Sequence, residues 1–304
     1  MENNKKFNIL FTIFSIIVLV VFAESTIEAK VENHKDYYRH ENLQVMAPLS
    51  SNYEPFENLV ENRNFQTFSK NGSFSLKGTM GQLLNSLHGP AEAKYRHFGS
   101  HFSSKQQMTI SLLYFPDGHQ STSGIFQFRM GNGNFIWFLS LVNNHGDAEV
   151  TMSLFSTTGQ GLSGKLVKLP NFFKSWHWNP ITLVIDAKSQ SMFLYGINGM
   201  KQLVLPTLTA IFHEHSEQYR IFNTFGEPIF TFKNTESQGK SYVTLAIGRF
   251  ITLVPVENGE FHWSNCERLV QSLKGRDSIA CLFLYDIVLP DKEIDHLSKF
   301  CFSQ

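Results

Sequence analysis

From Met108 onward, apolar and polar residues alternate in short runs broken by turn formers. Met108, Ile110, Leu112 and Tyr114 share one parity, with Thr109 and Ser111 on the other. Pro116-Asp117-Gly118 ends that run. Phe126, Phe128 and Met130 then alternate with Gln127 and Arg129, up to a turn at Gly131-Asn132-Gly133. Residues 135–142 are almost all apolar, the pattern of a strand covered on both faces. Asn143-Asn144-His145-Gly146 turns the chain again, and Val150, Met152 and Leu154 alternate with Glu149, Thr151 and Ser153. A period of two puts one set of side chains on a core and the other on the opposite face. Successive short strands separated by Gly and Asn turns predict an all-β fold, an antiparallel two-sheet β-sandwich.

The same reading extends in both directions. Residues 163–169, 202–205, 229–232 and 242–247 have strand character. Residues 181–186 and 192–197 form a hairpin entered through Trp176-His177-Trp178, and Asn198-Gly199 marks a second tight turn. Residues 206–219 are irregular, with room for a turn of helix, and residues 266–273 read as a short helix. A strand over 279–288 is followed by a short helix over 289–297, opened by Pro290, with Ile294 and Leu297 on one face.

Composition sets the compartment and the class. Phe is abundant at 29 residues, which suits strands and the space between facing sheets. Basic and acidic residues balance at 26 each, so charge gives no pointer to nucleic acid. Lys5 and Lys6 precede an apolar run over residues 9–23, and Val21-Phe22-Ala23 offers a cleavage site before Glu24. Residues 1–23 thus read as a signal peptide, because the apolar run within them is shorter than the ~20 residues of a spanning helix, and the mature chain as secreted with no later membrane span. Residues 24–67 are polar and without period, and are expected to form a flexible N-terminal arm. Asn71-Gly72-Ser73 is a glycosylation sequon expected on an exposed turn of the folded domain, residues 68–304. In an oxidising compartment two of Cys266, Cys281 and Cys301 can pair, and three pairings are open.

An aromatic-rich lead-in at Trp176, a strand ending in Asp186, a polar turn, a strand ending in Asn198-Gly199, and a closing strand-then-helix together resemble laminin G-like domains. These belong to the concanavalin A-like jelly-roll group, with pentraxin and thrombospondin N-terminal modules. The resemblance covers roughly residues 68–304, and the longer 206–277 stretch departs from it. It implies a disulfide between Cys281 and Cys301, leaving Cys266 as a buried thiol or an intermolecular partner. It also implies a secreted, non-enzymatic module that binds an extracellular glycan, glycosaminoglycan or matrix protein. A glycan-cleaving enzyme on the same fold and a structural matrix protein joined through Cys266 are the alternatives.

The candidate chemistry is thin. Glycoside hydrolysis needs two carboxylates across one bond, and no strand carries the paired acids that would supply them. Asp291, Glu293 and Asp295 alternate on the closing helix and read as a solvated face. His213-Glu214-His215 lacks the spacing of a helical zinc motif. The resemblance makes calcium a possible cofactor at the sandwich edge, with Asp117, Asn143, Asn144 and Asp147 as oxygen ligands. Lys165, Lys168 and Lys174 are candidates for contacting a sulfated glycan. Trp176 and Trp178 either stack on a sugar ring or pack in the core.

Overall fold

The computed structural model describes residues 40–51, 55–60, 65–79, 82–98, 107–118, 122–131, 135–156, 161–186, 189, 191–203, 209–211, 218–222, 228–233, 242–255, 260–262 and 266–303. The chain divides into two compact units, Met1–Leu43 and Gln44–Gln304. Of the first, the described part is a 3-10 turn, His40–Asn42, and the residue after it. The second carries the fold.

In chain order the strands are β1 (Leu43–Ala47), β2 (Phe65–Thr79), β3 (Gln82–Phe98), β4 (Gln107–Phe115), β5 (Thr122–Gly131), β6 (Phe135–Asn144) and β7 (Asp147–Ser156). β8 (Gly161–Leu169), β9 (Asn179–Asp186), β10 (Ser191–Gly196), β11 (Gly199–Leu203), β12 (Thr209–Ile211), β13 (Gln218–Phe222) and β14 (Pro228–Lys233) follow. β15 (Tyr242–Gly248), β16 (Phe250–Pro255), β17 (Glu260–His262), β18 (Cys266–Gln271), β19 (Ser278–Tyr285) and the helix α1 (Asp291–Ser303) complete it.

Fourteen strands form one antiparallel sheet in the order β11-β10-β9-β4-β19-β3-β15-β5-β6-β7-β8-β17, with β1 beside β19 and β2 beside β3. β4 and β6 are distant in that order, yet Asn143 on β6 donates its Nδ2–H to the Tyr114 hydroxyl on β4 at 2.9 Å. The sheet therefore curls until its halves face each other. Ile110, Leu112, Leu183 and Leu284 from one half share a single core with Phe126, Phe128, Leu139 and Val150 from the other. That is the expected sandwich, made by one sheet folded over. The parity read from sequence holds in β4, β5 and β7, where even-numbered apolar residues enter this core.

Burial on both faces has identifiable causes in β19 and in β5, β6 and β7. β19 is buried along its whole length, because α1 covers its outer face and Phe283 meets Phe300 edge-on at 6.2 Å. On β5, β6 and β7 the outer residues Gln127, Ser140 and Thr151 are polar yet buried. The β16–β18 ribbon runs beside these strands, and Phe250 packs against Val142 and Ala246. Gln127 Nε2–H donates to Ser140 Oγ at 2.9 Å, which satisfies the pair in its dry setting.

Several expectations are corrected. Residues 266–271 are strand β18, paired along its length with β16, rather than helix. Within the expected 24–67 arm, Val45, Ala47 and Leu49 lie in the core and Asn58 is hydrogen-bonded to β1, accepting from Met46 N–H at 3.0 Å. The polar composition there reflects a strand with one solvated face, its burial alternating residue by residue. Asn71 is exposed, but it sits inside β2 opposite Glu92, at a register shift, rather than on a turn. The β10–β11 turn is centred on Ile197-Asn198, one residue earlier than the Asn-Gly pair suggests, because Gly196 pairs with Gly199. The closing helix runs from Asp291, with the Pro290 carbonyl accepting from Glu293 and Ile294 N–H. His213-Glu214-His215 and residues 1–23 lie outside the described residues.

Candidate functional site

One rim of the sandwich is built by strand ends that lie in register. Tyr114 near the end of β4 faces Asn179 at the start of β9, Phe115 faces Ser278 at the start of β19, and Ser278 faces His88 on β3. Three connections join this row: Pro116-Asp117-Gly118, residues 170–178 between β8 and β9, and residues 272–277 before β19.

A buried network fixes the connections. Tyr114 O–H donates to Asp277 Oδ2 at 2.6 Å and accepts from Asn143 Nδ2–H. Asp277 Oδ1 accepts the Asp117 backbone N–H at 2.8 Å, and Asn143 Oδ1 accepts Gly146 N–H at 2.8 Å. Burial, reinforced by the Asp277 charge, drives the Tyr114 pKa far above the phenol range, so Tyr114 remains the donor. Asp277 is itself 2% exposed.

The 170–178 connection is held by Asn179, which is 1% exposed. Its Oδ1 accepts Lys174 N–H, and its Nδ2–H group donates to the carbonyls of Lys174 and His177, each at 2.8 Å. Trp176 N–H donates to Pro116 O at 2.9 Å. This arrangement holds Trp176 at φ 61°, left-handed backbone that a bulky residue rarely adopts. Its indole is 53% exposed, lying against Gly118, where a Cβ would be 3.9 Å from Cζ2. Trp178 does the opposite: it is 3% exposed, tilts against Phe115 and donates Nε1–H to Lys77 O at 3.2 Å. Sequence left the two tryptophans equivalent, and the structure separates them.

Charge on the rim is arranged by depth. Lys77 Nζ pairs with Asp117 Oδ2 at 3.5 Å in a largely shielded position. Lys174, Lys274 and Arg276 are exposed. His88 Nδ1 is buried without a hydrogen-bond partner. Burial lowers the His88 pKa, and the Lys77 and Arg276 charges add to that, against an opposite pull from Asp117 and Asp277.

Each of the expected calcium ligands has partners within the protein. The Asp117 carboxylate pairs with Lys77, and Asn143 is consumed by the Tyr114 network. Asn144 accepts from Thr122 and donates to Glu149, and Asp147 Oδ1 accepts Asn171 N–H. Among the described residues, no group of three or more His, Cys, Asp or Glu could hold a metal ion. The three lysines do not all fall on one element. Lys168 pairs with Glu149 at 2.9 Å on β8, and Lys174 belongs to the rim. Lys165 is on β8 opposite Met152, and its side chain lies outside the description. Cys281 and Cys301 do form the disulfide. Asp277, Asn179 and His88 were missed; Asn179 starts β9 and Asp277 flanks β19, while His88 lies inside β3 with no local signal.

No protein-family model and no curated protein matches the sequence. Among solved structures, the chain is similar to the receptor-binding domain of a botulinum neurotoxin mosaic serotype C/D, with a TM-score of 0.46 and 9% identity, covering 86% of this chain and 51% of that one. It is similar to the binding domain of botulinum neurotoxin DC in complex with rat synaptotagmin II, with a TM-score of 0.43 and 10% identity, covering 86% and 52%. It is also similar to domain 4 of a GH43 extracellular arabinanase from Geobacillus stearothermophilus in complex with arabinotriose, with a TM-score of 0.43 and 14% identity, covering 84% and 98%. The chain spans about half the length of the neurotoxin chains it matches. At these scores the likenesses decide neither family nor function.

Proposed function

We propose that the chain is a secreted, non-enzymatic module of laminin G-like type that binds an extracellular glycan at the Trp176 rim. The observation that carries this reading is the exposed indole on left-handed backbone. Such a conformation costs on the order of 1–3 kcal/mol and persists only where its surroundings impose it. Here the surroundings are the Asn179 clamp and the Pro116 hydrogen bond. A flat aromatic face held rigidly in water, with polar groups beside it, suits the apolar face of a sugar ring. The rim's two carboxylates, Asp117 and Asp277, are committed to Lys77, Tyr114 and a backbone N–H. Neither is placed as a free acid or base, which favours binding over cleavage.

Trp176→Gly tests the reading on the secreted chain. A glycan array identifies a binder, and titration follows its affinity. Removing an aromatic anchor that a ligand covers costs ~2 kcal/mol, about thirtyfold in affinity. Because glycine accepts φ 61°, the variant should unfold at the same or higher denaturant concentration than the parent. Binding unchanged by the substitution overturns the proposal.

A further inference from the structure

We propose that the glycan carries an anionic substituent, and that Lys274 and Arg276 hold it beside the Trp176 platform. This rests on the glycan reading above and concerns what that site selects.

The two loops are neighbours through one residue. Asp117 N–H donates to Asp277 Oδ1, while Pro116 O accepts Trp176 N–H and a Cβ on Gly118 would lie 3.9 Å from the Trp176 ring. Trp176 and the 274–277 turn are thus both hydrogen-bonded to the same 116–118 loop. That turn is fixed in place. Asp277 N–H donates back to Lys274 O at 2.8 Å, Gly275 takes φ 42°, and Lys274 N–H donates to Ser123 Oγ at 3.0 Å. Gly89 N–H donates to Asp277 O at 3.1 Å and ties the turn to β3. Two cations are thus carried on short, anchored backbone, so ordering them on a ligand costs little backbone entropy.

The charges around them do not cancel. Asp277 is buried, with both oxygens accepting from Tyr114 and Asp117. Asp117 is paired with Lys77. Among the described residues, Lys274 and Arg276 have no ion pair with a carboxylate, and exposed Lys174 adds to the same sign. The carboxylates sit below the surface and the cations above it, so a ligand meets positive charge. With the chain's basic and acidic residues equal in number, the field is local, which fits a single acidic group on a sugar better than a long polyanion.

The test is an array in which each oligosaccharide appears as its neutral, sialylated and sulfated forms, together with a phosphopeptide and a single-stranded RNA as controls. Acidic forms should bind at least about tenfold more tightly than their neutral parents, and the sialylated and sulfated arms separate carboxylate from sulfate. Lys274→Gln with Arg276→Gln should remove that preference and its weakening by salt, with the unfolding midpoint unchanged because both side chains are exposed. Equal binding of neutral and acidic forms, or a preference indifferent to the double substitution, overturns the anionic subsite. If Trp176→Gly still abolishes binding in that case, the glycan reading survives. Preferential binding of phosphopeptide or RNA overturns this proposal, and silence across the array overturns both.

Discussion

Tyr114 joins the halves of the sandwich with one oxygen. Its hydroxyl donates to Asp277 and accepts from Asn143, and all three side chains are almost fully buried. Removing that oxygen leaves an acceptor and a donor unsatisfied in a dry place. Tyr114→Phe should therefore destabilise by about 1–3 kcal/mol in denaturant titration, more than an ordinary neutral hydrogen bond contributes. A change under ~0.5 kcal/mol would mean that the network does not hold the sheet closed. The phenol is legible in sequence as an inward residue at the end of an alternating run. Its partners are not: they lie 29 and 163 positions away, and no local pattern encodes such pairings. The same holds for Asn179, whose role depends on the loop that arrives over it.

At the scale of elements, β19 and α1 show how a local irregularity serves a long-range link. β19 pairs with β4 up to Ala280 and again from Phe283. Between them Cys281 takes φ 61°, and its N–H donates to Pro48 O rather than to a strand neighbour. This bulge re-aims one side chain of a central strand, and Cys281 bonds Cys301 on the inner face of α1. Closing a loop of that length stabilises by ~3 kcal/mol through the unfolded chain. Cys281→Ser with Cys301→Ser, or reduction of the parent, should lower stability by about that amount while glycan binding persists in the folded fraction. Loss of binding at full folding would tie α1 to the rim. β18 teaches the opposite lesson. Cys-Glu-Arg-Leu-Val-Gln-Ser-Leu favours helix by composition and by the spacing of Leu269, Val270 and Leu273. Pairing with β16 along its whole length overrides that preference.

The whole molecule has two acid-sensitive ranges of opposite ionic origin. Burial lowers the His88 pKa, so the folded state resists protonating a group that the unfolded chain protonates near 6.5. The unfolded state then binds the extra proton, and stability falls as pH drops below about 6.5. Glu57 is held below 4.5 by its hydrogen bond from Lys70. Burial alone would raise Glu92, but Ser69 and Lys94 bring it below 4.5 on balance. Their contribution is full above 4.5 and fades as pH falls further. Unfolding midpoints measured from pH 8 to 3 should fall in two stages, and His88→Gln should remove the first alone. A single stage near pH 4 in both proteins would contradict the placement of His88.

Sequence by itself determined the strands that alternate, the turns between them and the closing helix, because side-chain parity and turn chemistry act over a few residues. It also singled out Trp176 and Trp178 as a pair, without saying which one the core takes. Tertiary structure alone decided that one sheet curls to make both layers, that Asp277 and Asn143 meet at Tyr114, and that Trp176 stands in water. Those outcomes depend on which distant strand ends arrive at the same rim, and burial and hydrogen-bond satisfaction are settled only after they have met.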